Sequence, residues 1–521
     1  MKNYLTALSD IFNTSQCLDY IRGIWETDRF FDYKSFAKTA DYCFMAMQNA
    51  GLKDIKKQPI IADGKTPYGD WVLPRAWDVD SAILRVCDDD WVLADYNMNP
   101  CSLVMYSAPT LGVEAECLLA DEPDKLLPCH VKGKILFTKL HAAEIADFAA
   151  KSGAIGIVSD YMRIYPGIRD SREQVYDTSM WINNFNVPIN DTGLFAFSLT
   201  PRNGDALRKR LISGENIRLY AKVKSHFYDG EAHIISGLIP GETDEEICFY
   251  GHLYEPGAHD NASGCAVILE LARGINQAIE HGHLPKPKHG LRFIMGPECT
   301  GSTAYFIAHE NRKSRACIVL DMVGTQDIDN TIVGVWHNPI ANISLIDALI
   351  ISAIEEYEAL FGSFEWKSIP FSIGTDNIVS DPSFGMPTIA LIAEPALSYH
   401  SSYDTPERIE PDVIKRNAVI AGACALTLAY GKNGAGKACR VYTRKVKGCL
   451  TFDSNPKLKV SKWNVAWSKD LNTPLFWMDG RRTLWEVAVL SCCELRKDNI
   501  RDYFKEICEY TDFLCENGYI L

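Results

Sequence analysis

CFYGHLYEPGAHDNASG, residues 248–264, is the stretch on which the reading of this chain turns. Cys248, Phe249 and Tyr250 read as the end of a buried strand, and His252 closes it. From Ala262 to Arg273 the sequence ASGCAVILELAR has helical spacing, with Ile268, Leu271 and Ala272 on one apolar face. His252 and Asp260 therefore stand at the carboxyl end of a strand, where open α/β sheets bind ligands. A histidine beside an apolar strand is commonly a satisfied core residue, so a metal role for His252 depends on what the rest of the chain supplies.

The sequence downstream repeats the arrangement. Strand GLRFIMG (290–296) precedes Glu298, strand ACIVLDMVG (316–324) contains Asp321, and strand MPTIALIA (386–393) precedes His400. Helical patterns intervene around Thr303 to Glu310, from about Ile340 to Phe361, and from Pro411 to Tyr430. The alternation predicts an α/β fold with a mixed, mainly parallel sheet and helices on both faces. Imidazole and carboxylate are the ligand types that bind zinc and leave a position open for water. One acid at a strand end also serves to cap the next helix. Five donors in this order, His252, Asp260, Glu298, Asp321 and His400, point more strongly to a metal centre.

Further out, the chain divides. Residues 1–108 open the α/β domain with helical patterns at Tyr20 to Trp25 and Ser35 to Ala50. Trp71, Trp77 and Asp78 read as packing anchors. Residues 109–224 hold two short strand and helix units, KILFTK to IGIVSD and LFAFSLT to IRLYAKVK, with Pro201 near a helix start. No acids, histidines or nucleophiles cluster there, so this is an inserted accessory domain. Residues 225–436 carry the candidate ligands. GKNGAGK (431–437) is linker-like, and 437–521 form a separate domain in which TLWEVAVLSC and NIRDYFKEICEYTDFLCENG, followed by GYIL as the start of a wing or strand, outline a helix-turn-helix.

At 521 residues the chain fits roughly two to four domains. Its formal charge of −14 disfavours the surface as a polyanion binder. The 17 cysteines, an odd count without a CxxC pair, read as reduced thiols. MKNYLTALSDIFNTSQ lacks the unbroken apolar core of a signal peptide, and the run Ala418 to Tyr430 falls short of the ~20 residues that span a bilayer. A cytoplasmic protein without a membrane partner is expected.

On these motifs the sequence resembles the di-zinc aminopeptidase family, whose fold the transferrin receptor ectodomain shares. HDNASG is similar to its bridging-carboxylate motif, LDMVG to a second metal carboxylate, GTDNIVSDPSFGMPTIAL to the stretch before the last strand, and YHSSYDTPERI to its terminal histidine motif. The resemblance covers most of residues 1–435, the insert is similar to a protease-associated domain, and the tail looks like that of a cytoplasmic subfamily with a winged helix. It implies that Asp260 bridges two zincs, that His252 and Asp321 complete one and Glu298 and His400 the other, and that Tyr399 donates to the developing oxyanion. Asp376 and Asp404 fall in family-like motifs as loop-fixing acids, and His259 as a loop histidine.

Two departures from the family pattern stand out. Pro297 precedes Glu298 where paired glutamates are usual, so one carboxylate, Glu298, faces the roles of both ligand and general base. Tyr254 stands where an aspartate would orient the first histidine, and Glu255 is a candidate orienter or base. A mononuclear site, a rearranged site and an inactive relative all remain open. Two functions follow: a metallopeptidase acting on a peptide or small amide, or a degenerate peptidase domain that binds a ligand while the winged helix contacts DNA. The tail carries 15 Lys and Arg against 11 Asp and Glu, yet Asn499 to Asn517 sets Arg501 and Lys505 against Asp502, Glu506, Glu509, Asp512 and Glu516. A helix reading DNA approaches phosphates with positive charge. The tail is thus expected to contact protein, within the chain or between chains of an oligomer.

Overall fold

The computed structural model describes residues 1–89, 91–183, 193–431, 462–463, 468–478, 480, 482–497 and 499–520. Its main sheet has eight strands: β1 (Lys53–Ala62), β2 (Gly230–Ile239), β3 (Glu245–Leu253), β4 (Gly290–Pro297), β5 (Lys313–Asp321), β6 (Val333–Trp336), β7 (Trp366–Ile369) and β8 (Thr388–Ile392). They lie in the order β1-β2-β4-β3-β5-β8-β6-β7. The middle of the sheet, β4, β3, β5 and β8, is parallel, and antiparallel pairs flank it. These four strands are buried along nearly their whole length, which explains their continuous apolar sequences. Helices Ala262–Glu280 and Pro411–Tyr430 supply much of the core packed on them. The second runs through 20 residues and is long and apolar enough to cross a membrane, a longer helix than the run from Ala418 suggests. Its most apolar window is 83% buried within the protein, so it is a core helix here.

A second sheet of seven strands has the order Val92–Asp95, Ala76–Val86, Arg218–Tyr228, Thr110–Leu119, Ile135–Thr138, Gly156–Ser159, Phe195–Ser198. Its last four strands are parallel. Ile135 and Phe137 pack into one core, whereas Leu136 between them packs into another, as the two-residue period of a strand requires. Strands 76–86 and 92–95, which a division at 108 and 109 gives to the first part of the larger domain, are bonded into this sheet. The pairing of 76–86 with 218–228 spans more than a hundred residues and leaves no local mark in the sequence.

The described residues of the tail form helices Lys469–Trp477, Leu484–Leu495 and Ile500–Glu516. Thr483 and Glu486 close a capping box at the start of the second. Phe476 leaves the tail's own cores to join the main one, its ring 5.0 Å from that of Phe371. Most of the expected linker and of the basic stretch from Arg440 to Lys469 lies outside the described residues. Among the described residues no cysteine forms a disulfide.

Candidate metal centre

Every candidate ligand comes from the carboxyl ends of the four adjacent parallel strands. His252 is the penultimate residue of β3, Glu298 directly follows β4, Asp321 ends β5, and His400 lies in the loop after β8. The loop from β3 to helix Ala262–Glu280 is held from below. Asp404 accepts the backbone amides of His259 (2.6 Å) and Asp260 (3.0 Å), and Asn261 caps the helix by accepting from the Gly264 amide at 3.0 Å. Asn261 also donates to the Leu320 carbonyl at 2.9 Å, tying the loop to β5. At Gly264 a Cβ would sit 2.1 Å from that same carbonyl oxygen, so only glycine fits. The loop-fixing role expected of Asp404 is thus observed.

Asp260 stands between the two histidines. Its Oδ1 is 3.5 Å from His252 Nε2 and its Oδ2 is 3.3 Å from His400 Nε2. His252 Nε2 is also 3.3 Å from Asp321 Oδ1. Donors about 2.0–2.1 Å from a tetrahedral zinc lie roughly 3.3–3.4 Å from one another, so these separations fit metal coordination. Two donor groups emerge among the described residues: His252, Glu298 and Asp321, and His252, Glu255 and Asp260. Glu298 is accordingly grouped with His252 and Asp321, whereas the resemblance places it with His400. The glutamate near His400 is Glu255, with Oε2 3.7 Å from His400 Nε2, beside Asp260 Oδ2 at 3.3 Å.

Glu298 owes its position to Asp376, whose Oδ1 accepts the Cys299 amide at 2.8 Å and the Ser302 hydroxyl at 2.5 Å. Cys299 takes a left-handed conformation, with φ of 55°, as the chain turns into helix Thr300–Ala308. His259 is buried, and its Nδ1 accepts the Gly324 amide at 3.2 Å, so it is a structural residue and not a ligand. Tyr254, which stands where the family pattern has an aspartate to orient the histidine, donates its amide to Asp28 Oδ2 at 2.9 Å. Asp28 ends helix Thr14–Asp28 and is buried beneath the site.

The electrostatics call for cations. Glu255, Asp260, Glu298, Asp321 and Glu394 line one cavity with His400, and His252 lies against them. Burial and the neighbouring carboxylates hold Glu255 and Glu298 above the ordinary glutamate range and bring Glu394 to about 7. Burial would lower His252, but Asp321, Glu298 and Glu255 overcome it and raise the imidazole well above its usual value. Burial also raises Asp28 to about 7 and Asp376 to about 8. Several buried carboxylates around two imidazoles resist ionisation unless positive charge joins them. The donor chemistry, oxygen and imidazole nitrogen, suits zinc.

The cavity has a volume of about 490 Å³, and the accessory domain builds one wall of it with His141, Tyr161, Arg163 and Trp181. That domain also shapes the centre. Arg169 donates through Nε to the Leu397 carbonyl at 2.9 Å and through Nη2 to the Tyr399 carbonyl at 2.9 Å. The Trp181 amide donates to the His400 carbonyl at 2.7 Å, and the two rings meet edge to face. Ser179 and Ser402 add two further hydrogen bonds. Tyr399 stacks on His400 with ring centroids 3.9 Å apart and lines the cavity. The expectation of an accessory domain without a part in the site is therefore corrected. Glu394, two residues beyond β8, carried a signal that sequence reading passed over, an acid at a strand end. Asp28 and Arg169 carried none, since their partners lie more than 220 residues away.

Residues 234–425 match Peptidase family M28. No curated protein matches the sequence. Among solved structures the chain is similar to a Clostridium acetobutylicum protein, at 17% identity and a TM-score of 0.58, over 100% of this chain and 98% of that one. It is similar also to BSAP, a zinc aminopeptidase from Bacillus subtilis, at 19% identity and 0.57, over 81% and 97%. A peptidase M28 precursor from Shewanella amazonensis gives 15% and 0.60, over 84% and 98%. These likenesses show the fold, and the family match covers four of its central strands together with His252, Asp260, Glu298, Asp321 and His400. The match to Peptidase family M28 is confined to residues 234–425, the part of the chain that carries the candidate ligands.

Proposed function

We propose that this protein is a metal-dependent aminopeptidase that hydrolyses the amino-terminal peptide bond, or a related amide, of a small substrate. The observation that carries the reading is Asp260, which offers one oxygen toward His252 and the other toward His400 at the edge of a cavity large enough for a short peptide. His252, Asp260, Asp321 and His400 would hold zinc, with Glu298 and Glu255 beside them. Bound zinc supplies Lewis-acid polarisation of a carbonyl and a water acidic enough to attack near neutral pH.

The chain's own groups do the rest. Burial holds the Tyr399 phenol well above its ordinary value, so it stays protonated and donates to the oxygen on which charge develops. Glu298, raised by burial, can take a proton and return it to the leaving amine. Glu394 lines the same cavity and offers a carboxylate for the substrate's α-ammonium group. The described cysteines, none of them in a disulfide, support a cytoplasmic location, and the acidic helix Ile500–Glu516 and the seating of Phe476 support a protein-contact role for the tail. The test is hydrolysis of aminoacyl-coumarin amides and dipeptides by protein loaded with zinc, manganese or cobalt, beside N-acetylated controls. Turnover confined to free amino termini is expected, and no turnover across the panel would remove the aminopeptidase reading.

A further inference from the structure

The resemblance leaves a vacancy in this centre, since Glu298 is asked to act both as ligand to the second metal and as base. Three observations show what occupies the place. First, Glu298 clusters with His252 and Asp321, on the side of the first metal position. Second, the glutamate beside His400 is Glu255, its Oε2 3.7 Å from Nε2, and an oxygen of Glu255 lies within 4.8 Å of donors on both Asp260 and His252. Third, the loop that carries Glu255 is rigidly held. Tyr254 is left-handed with φ of 78°, its amide is bonded to Asp28, and its ring packs against Tyr33 and Phe36 with centroids 5.1 Å away in each case. With Tyr254 committed to the core, Glu255 reaches the cavity, and Pro256 follows it. The Glu255 side chain is 8% exposed, so its carboxylate meets the cavity and not bulk solvent.

We propose that Glu255 is a ligand of the second metal position, together with His400 and Asp260 Oδ2, and that Glu298 is thereby released from that duty. The centre then takes its second glutamate from the loop after β3, three residues beyond His252, and not from the loop after β4. This rests on the two-metal aminopeptidase reading above, but concerns which side chain binds.

The test measures metal, not turnover. Full-length wild type, Glu255→Gln, Glu255→Asp and Glu298→Gln are stripped with chelator, equilibrated with one zinc buffer, and assayed for bound zinc by mass spectrometry. Cobalt loading follows the same sites by visible absorption, and circular dichroism verifies folding. Wild type and Glu298→Gln are expected to hold about two equivalents, and Glu255→Gln about one. Glu255→Asp, whose carboxylate is withdrawn by one methylene, should bind the second ion at least about tenfold more weakly, in the range seen when metal surroundings are altered. The proposal is overturned if Glu255→Gln keeps both ions at the same buffered concentration, if Glu298→Gln loses the second ion as readily as Glu255→Gln, or if wild type binds one ion only. A wild type with two ions and no hydrolysis would sink the aminopeptidase reading and leave this assignment intact. Hydrolysis by a one-metal wild type would do the reverse.

Discussion

Replacing Arg169 with alanine should loosen the second half of the centre from a distance. The guanidinium is buried, no carboxylate lies within ion-pair reach of it among the described residues, and it donates instead to the carbonyls of Leu397, Tyr399 and Arg163, the last at 3.2 Å. Burial draws its pKa below the ordinary value. Hydrogen bonds from a charged donor contribute about 1.5–3 kcal/mol each, and a buried carbonyl left without one costs about 1–3 kcal/mol. Relief of the buried charge offsets part of this. A net loss of about 2–4 kcal/mol follows for Arg169→Ala, to be read from the urea midpoint of metal-free protein, where metal affinity cannot contribute. In the metal-loaded protein the same change should weaken the ion beside His400 about 10–100-fold and spare the other, because Tyr399 and His400 lose their support. Arg169→Lys keeps the charge but not the fork, and should fall between. A variant within about 0.5 kcal/mol of wild type that binds both ions normally would refute the clamp.

Tyr399→Phe should lower kcat about 10²–10³-fold with bound zinc unchanged in mass spectrometry, as for an oxyanion donor, and an unchanged kcat would remove Tyr399 from catalysis. Gly264→Ala drives a methyl against the Leu320 carbonyl and should cost about 1–3 kcal/mol in a denaturant titration. Phe476→Ala removes a ring from the main core beside Phe371, and since Ser372, Ile373 and Gly374 line the cavity, KM should change more than kcat in steady-state assays. Chelation should lower the thermal midpoint and zinc at about 100 times its dissociation constant restore about 2.7 kcal/mol, whereas a midpoint indifferent to chelator would argue against a bound metal.

What could be read in advance follows from the range of the interactions involved. Buried parallel strands announce themselves residue by residue, so β3, β4, β5 and β8 and the donors at their ends were legible in the sequence. So was the start of the helix at Ala262, which the structure shows capped by Asn261 three residues before the amide it accepts. The grouping of Glu298 was not legible, because it depends on how Asp376, 77 residues on, turns the chain at Cys299. Likewise the sequence identifies Glu255 as an acid near His252, but its approach to His400 depends on a loop fixed by Asp28, Tyr33 and Phe36. The tie from Arg169 to Leu397 spans 228 residues, and nothing in either segment announces the other.

The docking of residues 397–402 onto Arg169, Ser179 and Trp181 sets an order in time. Contacts of such sequence separation form late, after the loops between them have closed. His252 and Asp321 belong to neighbouring strands of one sheet, Asp260 to the loop that follows the first of them, and the three can come together as that sheet forms. His400 is placed only when the second sheet has folded and met the first. A folding chain is therefore expected to acquire the means to hold one ion before it can hold two, with the second site completed by the last docking event.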